Sequence, residues 1–316
     1  MPPSPTFSVV ITSYNYRSFV AEAVESALSQ SLPPLEVIVI DDGSTDGTPA
    51  YLAERYGGHA SVRIIATENR GQLAAFGEGA RAASGDIVAF LDADDLWEPG
   101  YLERIAAVYS GQAGVDFVYT NMRFFGSRDD LFLKGSVSRD LGLSILLGAY
   151  HTRWQASATS AISLTRKLAL QLLDVPAWMS QAWRTRADDC IVCGADILGG
   201  HKYYLAEPLV KYRAHGNNAW LSQKLDGEKA LRHWLRADAM IEFYRSRAQL
   251  NPVLKAAHLR HVKHEFRSKP APTREELADY LHLLGESSLP WASRLEHRFA
   301  LWRHYLRSNS ARKSAR

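Results

Sequence analysis

The sequence of 316 residues has few cysteines and lacks any long apolar run. Its only two cysteines, Cys190 and Cys193, exclude a disulfide framework and suit a reducing compartment. No apolar stretch approaches the roughly 18 residues that a membrane-spanning helix needs. Residues 1–5 also lack the basic and then apolar order of a secretory signal. We therefore expect a soluble protein of the cytoplasm.

The composition is ordinary, but charge is distributed unevenly along the chain. Charged residues make up 22% and aromatic residues 10%, which excludes collagen, coiled coil and wholesale disorder. Residues 1–219 carry 18 Lys and Arg against 24 Asp and Glu, a net charge of −6. Residues 220–316 carry 19 against 10, a net charge of +9. The sequence therefore predicts two parts, 1–219 and 220–316, divided near the turn signal at 216–218.

The first 120 residues alternate short apolar runs with helical patterns. Continuous apolar runs, without polar alternation, indicate strands that are covered on both faces. The alternation predicts an α/β fold, a mostly parallel sheet flanked by helices, which binds ligands beyond the carboxyl ends of its strands. The predicted strands are 7–13, 36–40, 63–66, 86–91 and 115–120, and the predicted helices are 19–28, 49–56, 72–83 and 99–109.

Acidic residues directly follow two of these predicted strands. Asp41 and Asp42 begin a Gly-rich segment, which is either a sharp turn or a place where a carboxylate accepts hydrogen bonds from a nucleoside. Asp92, Asp94 and Asp95 follow the run 86–91 and repel one another unless protons or a cation intervene. Mg²⁺ and Mn²⁺ take oxygen ligands and commonly share them with substrate phosphates. A solvated acidic loop is the alternative.

A third acidic pair lies further along the chain. Asp188 and Asp189 precede an apolar stretch, so they either cap a helix N-terminus or supply a general base. His215 follows in a polar turn, from which it can reach a metal or a diphosphate. The CxxC spacing of Cys190 and Cys193 lies inside the apolar stretch, and we interpret both as buried small residues rather than a redox or zinc site.

Five segments, in order, resemble the family 2 nucleotide-sugar glycosyltransferases with the GT-A fold. They are residues 9–16, 37–48, 68–95, 187–189 and 212–218, and the resemblance covers about residues 7–218. It implies a Rossmann-like sheet. Residues 220–316 lie outside the resemblance, and their apolar spacing predicts a basic, mainly helical C-terminal extension. The resemblance also implies inverting transfer of a sugar from a nucleoside diphosphate, UDP or dTDP, to a hydroxyl of a glycan or lipid-linked glycan, assisted by Mn²⁺ or Mg²⁺. Such enzymes act in polysaccharide or glycan synthesis.

The resemblance also implies roles for individual residues. Asp94 would bind the metal directly, Asp92 would assist through ribose or water, and His215 would complete the site, with Asp95 as a supporting acid. Asp188 and Asp189 match a Glu-Asp pair of the family, in which the second member is the usual base. Because the first member here is Asp instead of Glu, either carboxylate could reach the acceptor, and we assign Asp189 as the base. The nucleotide-sugar would contact Thr12, Tyr14, Asp41, Asp42, Arg70, Gly71, Gln72, Asp92 and Ala93.

Several interpretations stay open from the sequence. The stretch 126–180 contains Tyr150, Trp154 and Trp178, which either stack on an acceptor sugar or fill the core. The apolar stripe of 291–306, which we place opposite Arg294, Arg298, His297 and Arg303, either packs on the catalytic part, forms a homo-oligomer, or contacts the inner face of a membrane. We expect no nucleic-acid partner, because the acidic clusters repel phosphate. A nucleotidyltransferase or a non-catalytic binding module is the alternative, although residues 12–16 lack a Gly-rich phosphate loop.

Overall fold

One mixed sheet organises the molecule. The structure, a computed structural model, describes residues 4–151, 153–215 and 226–314. Within these residues the strand order is β3-β2-β1-β4-β8-β6-β9-β5, and β7 pairs with β9. The strands are β1 (Phe7–Ser13), β2 (Glu36–Asp42), β3 (Val62–Thr67), β4 (Ile87–Asp92), β5 (Leu96–Trp97), β6 (Phe117–Gly126), β7 (Arg139–Gly142), β8 (Ile162–Thr165) and β9 (Lys202–Ala214).

Helices cover both faces of this sheet and form most of the C-terminal part. Those before residue 216 are α1 (Val20–Leu28), α2 (Thr48–Tyr56), α3 (Gln72–Ala82), α4 (Tyr101–Gly111), α5 (Ile145–Tyr150), α6 (Arg166–Leu173), α7 (Ala177–Ala182) and α8 (Asp188–Ile197). Those that follow it are α9 (Gly227–Arg247), α10 (Lys255–His258), α11 (Val262–Ser268), α12 (Arg274–Gly285) and α13 (Trp291–Ser314). The mainly helical character predicted for the extension is confirmed.

The N-terminal half of the sheet is parallel, as predicted. β1 pairs in parallel with both β2 and β4, and β2 pairs in parallel with β3. Successive residues of β1 face opposite sides, so Val9 and Val10 belong to two separate apolar clusters. The other half is mixed, because β8 runs antiparallel to both β4 and β6. The chain between β6 and β8 forms no single crossover helix, which is what a parallel connection requires.

The basic C-terminal part packs against the rest of the chain. Met240, Ile241 and Tyr244 of α9 are buried in the cluster that also contains Trp183 and Cys190. Helices α11–α13 pack with α5 around a smaller third cluster. Helix α9 therefore packs against the part of the chain that precedes residue 216. The predicted boundary at 216–218 lies outside the described residues.

Buried charges attach the last helices to the sheet. Lys269 is buried and donates to the Leu141 carbonyl at 2.7 Å and to the Ser144 hydroxyl at 2.8 Å. Glu276 pairs with Arg139 of β7 at 2.8 Å. Among the described residues, no helix combines the length and the apolar character needed to cross a bilayer.

Candidate active site

The carboxyl ends of β1, β2 and β4 form one edge of the sheet, and a cleft of about 1120 Å³ opens there. Thr12 at the end of β1 lies opposite Asp92 at the end of β4. The start of α8 and one side of α9 close the cleft. The structure therefore brings most of the predicted site residues to one place. They are Thr12, Tyr14, Asp42, Gly71, Gln72, Asp92, Ala93, Asp94, Asp188, Asp189 and His215.

Two of the predicted site residues, Asp41 and Arg70, do not line the cleft. Asp41 is fully buried, accepts the Ser44 N–H at 2.9 Å, and is not part of the cleft lining. Arg70 directs its guanidinium to Glu78 at 3.4 Å, also outside the lining. Asp42 does reach the cleft, but its two oxygens already accept the N–H groups of Arg70 and Gly71, each at 2.8 Å. Asp42 therefore holds the chain at 70–71 in position.

Gly71 is a glycine because of a close contact within the chain. Its φ is 92°, and a Cβ built there would lie 2.6 Å from Cα of Arg184. The sequence suggested a close approach of backbone to ligand at this position. The structure shows that the approach is to the segment that leads into α8, since the Gln72 N–H also donates to the Arg184 carbonyl at 3.0 Å.

Gln72 links the two halves of the cleft. Its Nε2 donates to Oδ1 of Asp92 at 3.2 Å, and its Oε1 accepts the N–H of Ala187 at 3.1 Å. Ala187 directly precedes Asp188, the first residue of α8. One amide side chain thus sets the distance between the end of β4 and the acidic start of α8.

The arrangement of β5 and β9 brings His215 to Asp94. β5, which follows the acidic cluster, pairs antiparallel with β9, which ends one residue before His215. Arg213 of β9 fastens the contact, because its backbone N–H donates to Asp95 at 2.9 Å and its Nε donates to the Asp94 carbonyl at 2.8 Å. Nε2 of His215 then lies 2.9 Å from Oδ2 of Asp94, and its ring stacks on Phe19 at 5.4 Å.

The carboxyl groups after β4 are buried and crowded together, which opposes their ionisation. Burial, followed by the charges of Asp94 and Asp188, raises the pKa of Asp92 to about 8. Burial and the charge of Asp94 raise the pKa of Asp95 well above its usual range. Burial and the same carboxylates also raise the pKa of the Tyr16 phenol. Asp95 accepts hydrogen bonds from Ser160 Oγ at 2.6 Å and from the Arg213 N–H at 2.9 Å. It therefore stabilises the acidic loop and does not line the cleft.

This donor set fits a divalent cation that is shared with a substrate. Within the parts of the chain that the structure describes, no three His, Cys, Asp or Glu side chains group tightly enough to hold a metal ion by themselves. Asp94 and His215 offer one carboxylate and one imidazole, and a cation beside them would offset the burial and the neighbouring charges that raise the pKa of Asp92. Mg²⁺ and Mn²⁺ commonly complete such a site with water and phosphate oxygens.

Asp188 and Asp189 occupy the first turn of α8, across the cleft from β4. Burial and the charge of Asp189 raise the pKa of Asp188 to about 7. Burial also raises the pKa of Asp189, and the positive charges of Arg186 and Arg236 oppose that rise. Arg186, which has the left-handed φ of 60°, forms an ion pair with Asp189 at 3.0 Å. The two neighbours thus differ, since Asp189 alone has a guanidinium partner at this distance among the described residues.

Sequence reasoning missed several residues of the cleft. Tyr16 and Phe19 stand close to the first matched segment, so their aromatic character was an available signal. Arg186 stands two residues before Asp188, where its charge was an available signal too. No signal existed for the part of α9 that lines the cleft, because it lies outside the resemblance. Those α9 residues are His233, Trp234, Ala237, Met240 and Ile241.

The aromatic residues of 126–180 have different surroundings. Trp154 lines the cleft, whereas Tyr150 contacts His258 through its hydroxyl at 2.6 Å. Trp178 meets Phe243 edge to face at 6.3 Å.

The two cysteines are buried and unpaired, and burial raises the pKa of the Cys193 thiol to about 12. They are therefore protonated packing residues, as the sequence suggested.

Comparisons with known proteins identify the family of this chain. Residues 8–164 match the family described as Glycosyl transferase family 2. An uncharacterized glycosyltransferase of Nostoc sp. (strain PCC 7120) is 32% identical over 221 residues, which cover 68% of this chain and 66% of that protein. A chondroitin synthase of Escherichia coli is 35% identical over 131 residues, 42% of this chain and 19% of that protein. The match thus spans about two thirds of the Nostoc protein and about a fifth of the chondroitin synthase.

A solved structure has the same fold. Residues 1–349 of TarS from S. aureus, crystallised in complex with UDP-GlcNAc, superpose with a TM-score of 0.55. The sequences are 15% identical, and the match covers 98% of this chain and 92% of that one. This likeness shows the fold, a GT-A-type sheet followed by C-terminal helices. The family match and the Nostoc relative show that the chain belongs to glycosyltransferase family 2.

Proposed function

We propose that this protein transfers a sugar from a nucleoside diphosphate, UDP or dTDP, to an acceptor hydroxyl with inversion at the anomeric carbon. The observation that carries the proposal is that one cleft holds both the Asp94–His215 pair and the Asp188–Asp189 pair. Inverting transfer needs a cationic environment for the leaving diphosphate and a base on the opposite side of the sugar. The complex of TarS with UDP-GlcNAc supports a nucleotide-sugar donor.

The donor half of the cleft would lie along the ends of β1 and β4. Thr12 and Tyr14 would border the base, and the backbone at Gly71, which Asp42 holds, would border the ribose and sugar. Asp94 and His215 would hold a divalent cation together with diphosphate oxygens. When bound there, Mn²⁺ or Mg²⁺ would stabilise the negative charge that develops on the leaving diphosphate.

The acceptor half would lie against α8 and α9. Asp189 would take the proton of the attacking hydroxyl, while its ion pair with Arg186 holds the carboxylate in one orientation. Positive charge from Arg186 and Arg236 also favours the ionised form that a base needs. A single displacement by the hydroxyl inverts the anomeric configuration and forms no covalent enzyme intermediate.

The acceptor is proposed to be a glycan or a lipid-linked glycan in polysaccharide synthesis in the cytoplasm. Trp154 and Trp234 are partly exposed and line the cleft beyond the carboxylates. Flat indole faces stack on sugar rings, which suits an acceptor built of sugars. The chondroitin synthase among the relatives supports a polysaccharide product.

A donor screen tests this function. The purified chain is incubated with UDP-, dTDP- and GDP-sugars and Mn²⁺, and both nucleoside diphosphate and pyrophosphate are measured. We expect release of one nucleoside diphosphate, which depends on metal and is lost in Asp94→Asn. Release of pyrophosphate would instead assign a nucleotidyltransferase. Binding of a nucleotide without release of either product, across a panel of glycan acceptors, would assign a non-catalytic module.

A further inference from the structure

Helix α13 carries an apolar stripe that faces solvent. Five large side chains at intervals of three and four residues have exposed fractions between 45% and 71%. They lie on the side of the helix opposite Ala300 and Leu301, which are buried against the neighbouring helices. The stripe consists of Trp291, Leu295, Phe299, Trp302 and Leu306. Exposed apolar surface that forms a continuous row calls for an explanation.

Positive charges border the stripe. Arg298 precedes Trp302 by four residues and Arg303 follows Phe299 by four, so both lie along its edges. The prediction that Arg298 and Arg303 lie opposite the stripe is therefore wrong. Arg294, which donates to the Gly285 carbonyl at 3.0 Å, and His297 do lie away from it. Within residues 291–310, whose side chains the structure describes, the helix carries four Arg against one Glu. Its exposed surface is therefore both apolar and cationic.

A second exposed apolar site adjoins the start of this helix. Val253 is 87% exposed, and Leu254 beside it is also exposed. The loop that carries them is held to the connection before α13, because the Ser288 N–H donates to the Ala256 carbonyl at 2.8 Å and Lys255 pairs with Glu286 at 2.6 Å. The exposed apolar residues Val253 and Leu254 are thus tied to the segment that directly precedes α13.

We propose that α13, with the loop at Val253 and Leu254, lies on the surface of an anionic lipid bilayer. A helix with Trp, Phe and Leu in one row and arginines along its edges buries the apolar row at the acyl boundary, while the cations meet lipid phosphates. The net charge of +9 on residues 220–316 complements such a surface. In a two-fold contact between two copies, the stripes would face each other and the arginines of one copy would lie close to those of the other, which is repulsive.

Vesicle flotation tests the proposal with the full chain. Vesicles contain phosphatidylcholine alone or with about 30% phosphatidylglycerol, a content high enough for strong electrostatic attraction. We expect flotation with the anionic vesicles and little with the neutral ones, weakened at high salt. The variant Phe299→Glu with Trp302→Glu should lower the partition coefficient at least about tenfold, since each change removes a large apolar contact. Arg298→Glu with Arg303→Glu should also lower it.

A matched pair controls for added acidic residues. Leu35→Glu with Leu231→Glu replaces two exposed apolar side chains outside α13 and should float like the wild type. Circular dichroism, and the thermal shift with nucleotide, should be unchanged in all variants. Failure of the wild type to float with anionic vesicles overturns the proposal, as does unchanged flotation of the Phe299 and Trp302 variant. A dimer in light scattering that this variant dissociates would assign the stripe to a second copy.

Discussion

Nε2 of His215 lies 2.9 Å from Oδ2 of Asp94, although 121 residues separate them in the chain. The contact depends on the antiparallel pairing of β5 with β9, which aligns the two segments. It also depends on Arg213, whose backbone and side chain bind the same acidic loop. The pair is therefore built by tertiary structure before any ligand arrives.

Removing either member of this pair should weaken metal-dependent nucleotide binding. We expect Asp94→Asn and His215→Gln to lower the affinity for a nucleoside diphosphate in Mn²⁺ at least about tenfold, because each removes one of few protein ligands. Isothermal titration calorimetry with and without EDTA measures the effect. Glu54→Gln, an exposed change on α2, serves as the control. Variants that keep the full response to Mn²⁺ would place the cation elsewhere.

Replacing the proposed base should lower turnover and leave donor binding intact. Asp189→Asn keeps the size of the side chain but cannot accept the acceptor proton, so kcat should fall roughly 10²–10⁴-fold. Asp188→Asn should have a smaller effect, since it lacks the guanidinium partner. Initial rates at saturating donor measure both, with the exposed Asp129→Asn as control. If Asp188→Asn causes the larger loss, Asp188 is the base.

A methyl group at Gly71 should disturb the cleft and destabilise the protein. Ala at a φ of 92°, with its Cβ 2.6 Å from Cα of Arg184, combines backbone strain with a clash. We expect a loss of at least about 2 kcal/mol in the free energy of unfolding. Gly58→Ala is the matched control, because nothing lies within 4 Å of its added Cβ. Urea unfolding compares them, and equal stability would mean that the loop shifts freely.

The raised pKa of Asp92 predicts a stability that depends on pH. The folded carboxyl keeps its proton up to a pH of about 8, whereas an unfolded Asp loses it near 4. The contribution of this group to stability is therefore complete below pH 4 and is lost as pH rises toward 8. Without divalent metal, the Tm of Asp92→Asn minus the Tm of the wild type should increase by at least about 2 °C between pH 5 and pH 8, because only the wild type loses stability over this range.

Thermal melts in EDTA at four pH values measure this difference. Asp86→Asn, at the opposite end of the same β-strand region, is the control, since the pKa of Asp86 is lowered by hydrogen bonds from Thr6. For that variant the difference from wild type should not rise with pH above 5. A constant gap for Asp92→Asn would mean that the carboxyl is ionised throughout this range.

Local sequence determined the parallel half of the sheet and the positions of the acidic residues. Continuous apolar runs predicted β1–β4 to within two residues at each end, because burial on both faces leaves a local pattern. The carboxyl ends of parallel strands lie at the same edge of a sheet, so the acidic residues that directly follow these apolar runs lie at that edge. Thr12, Asp42, Asp92 and Asp94 were predictable for that reason.

Only the tertiary structure decided which groups face one another. Asp41 and Asp42 are the last two residues of β2 and both are buried, yet Asp42 lines the cleft and Asp41 does not. The partner of Gly71 is Arg184, and the cleft wall includes α9, which no motif marked. Such contacts depend on long-range packing between segments more than a hundred residues apart. A local pattern records whether a residue is buried, and it does not record what the residue is buried against.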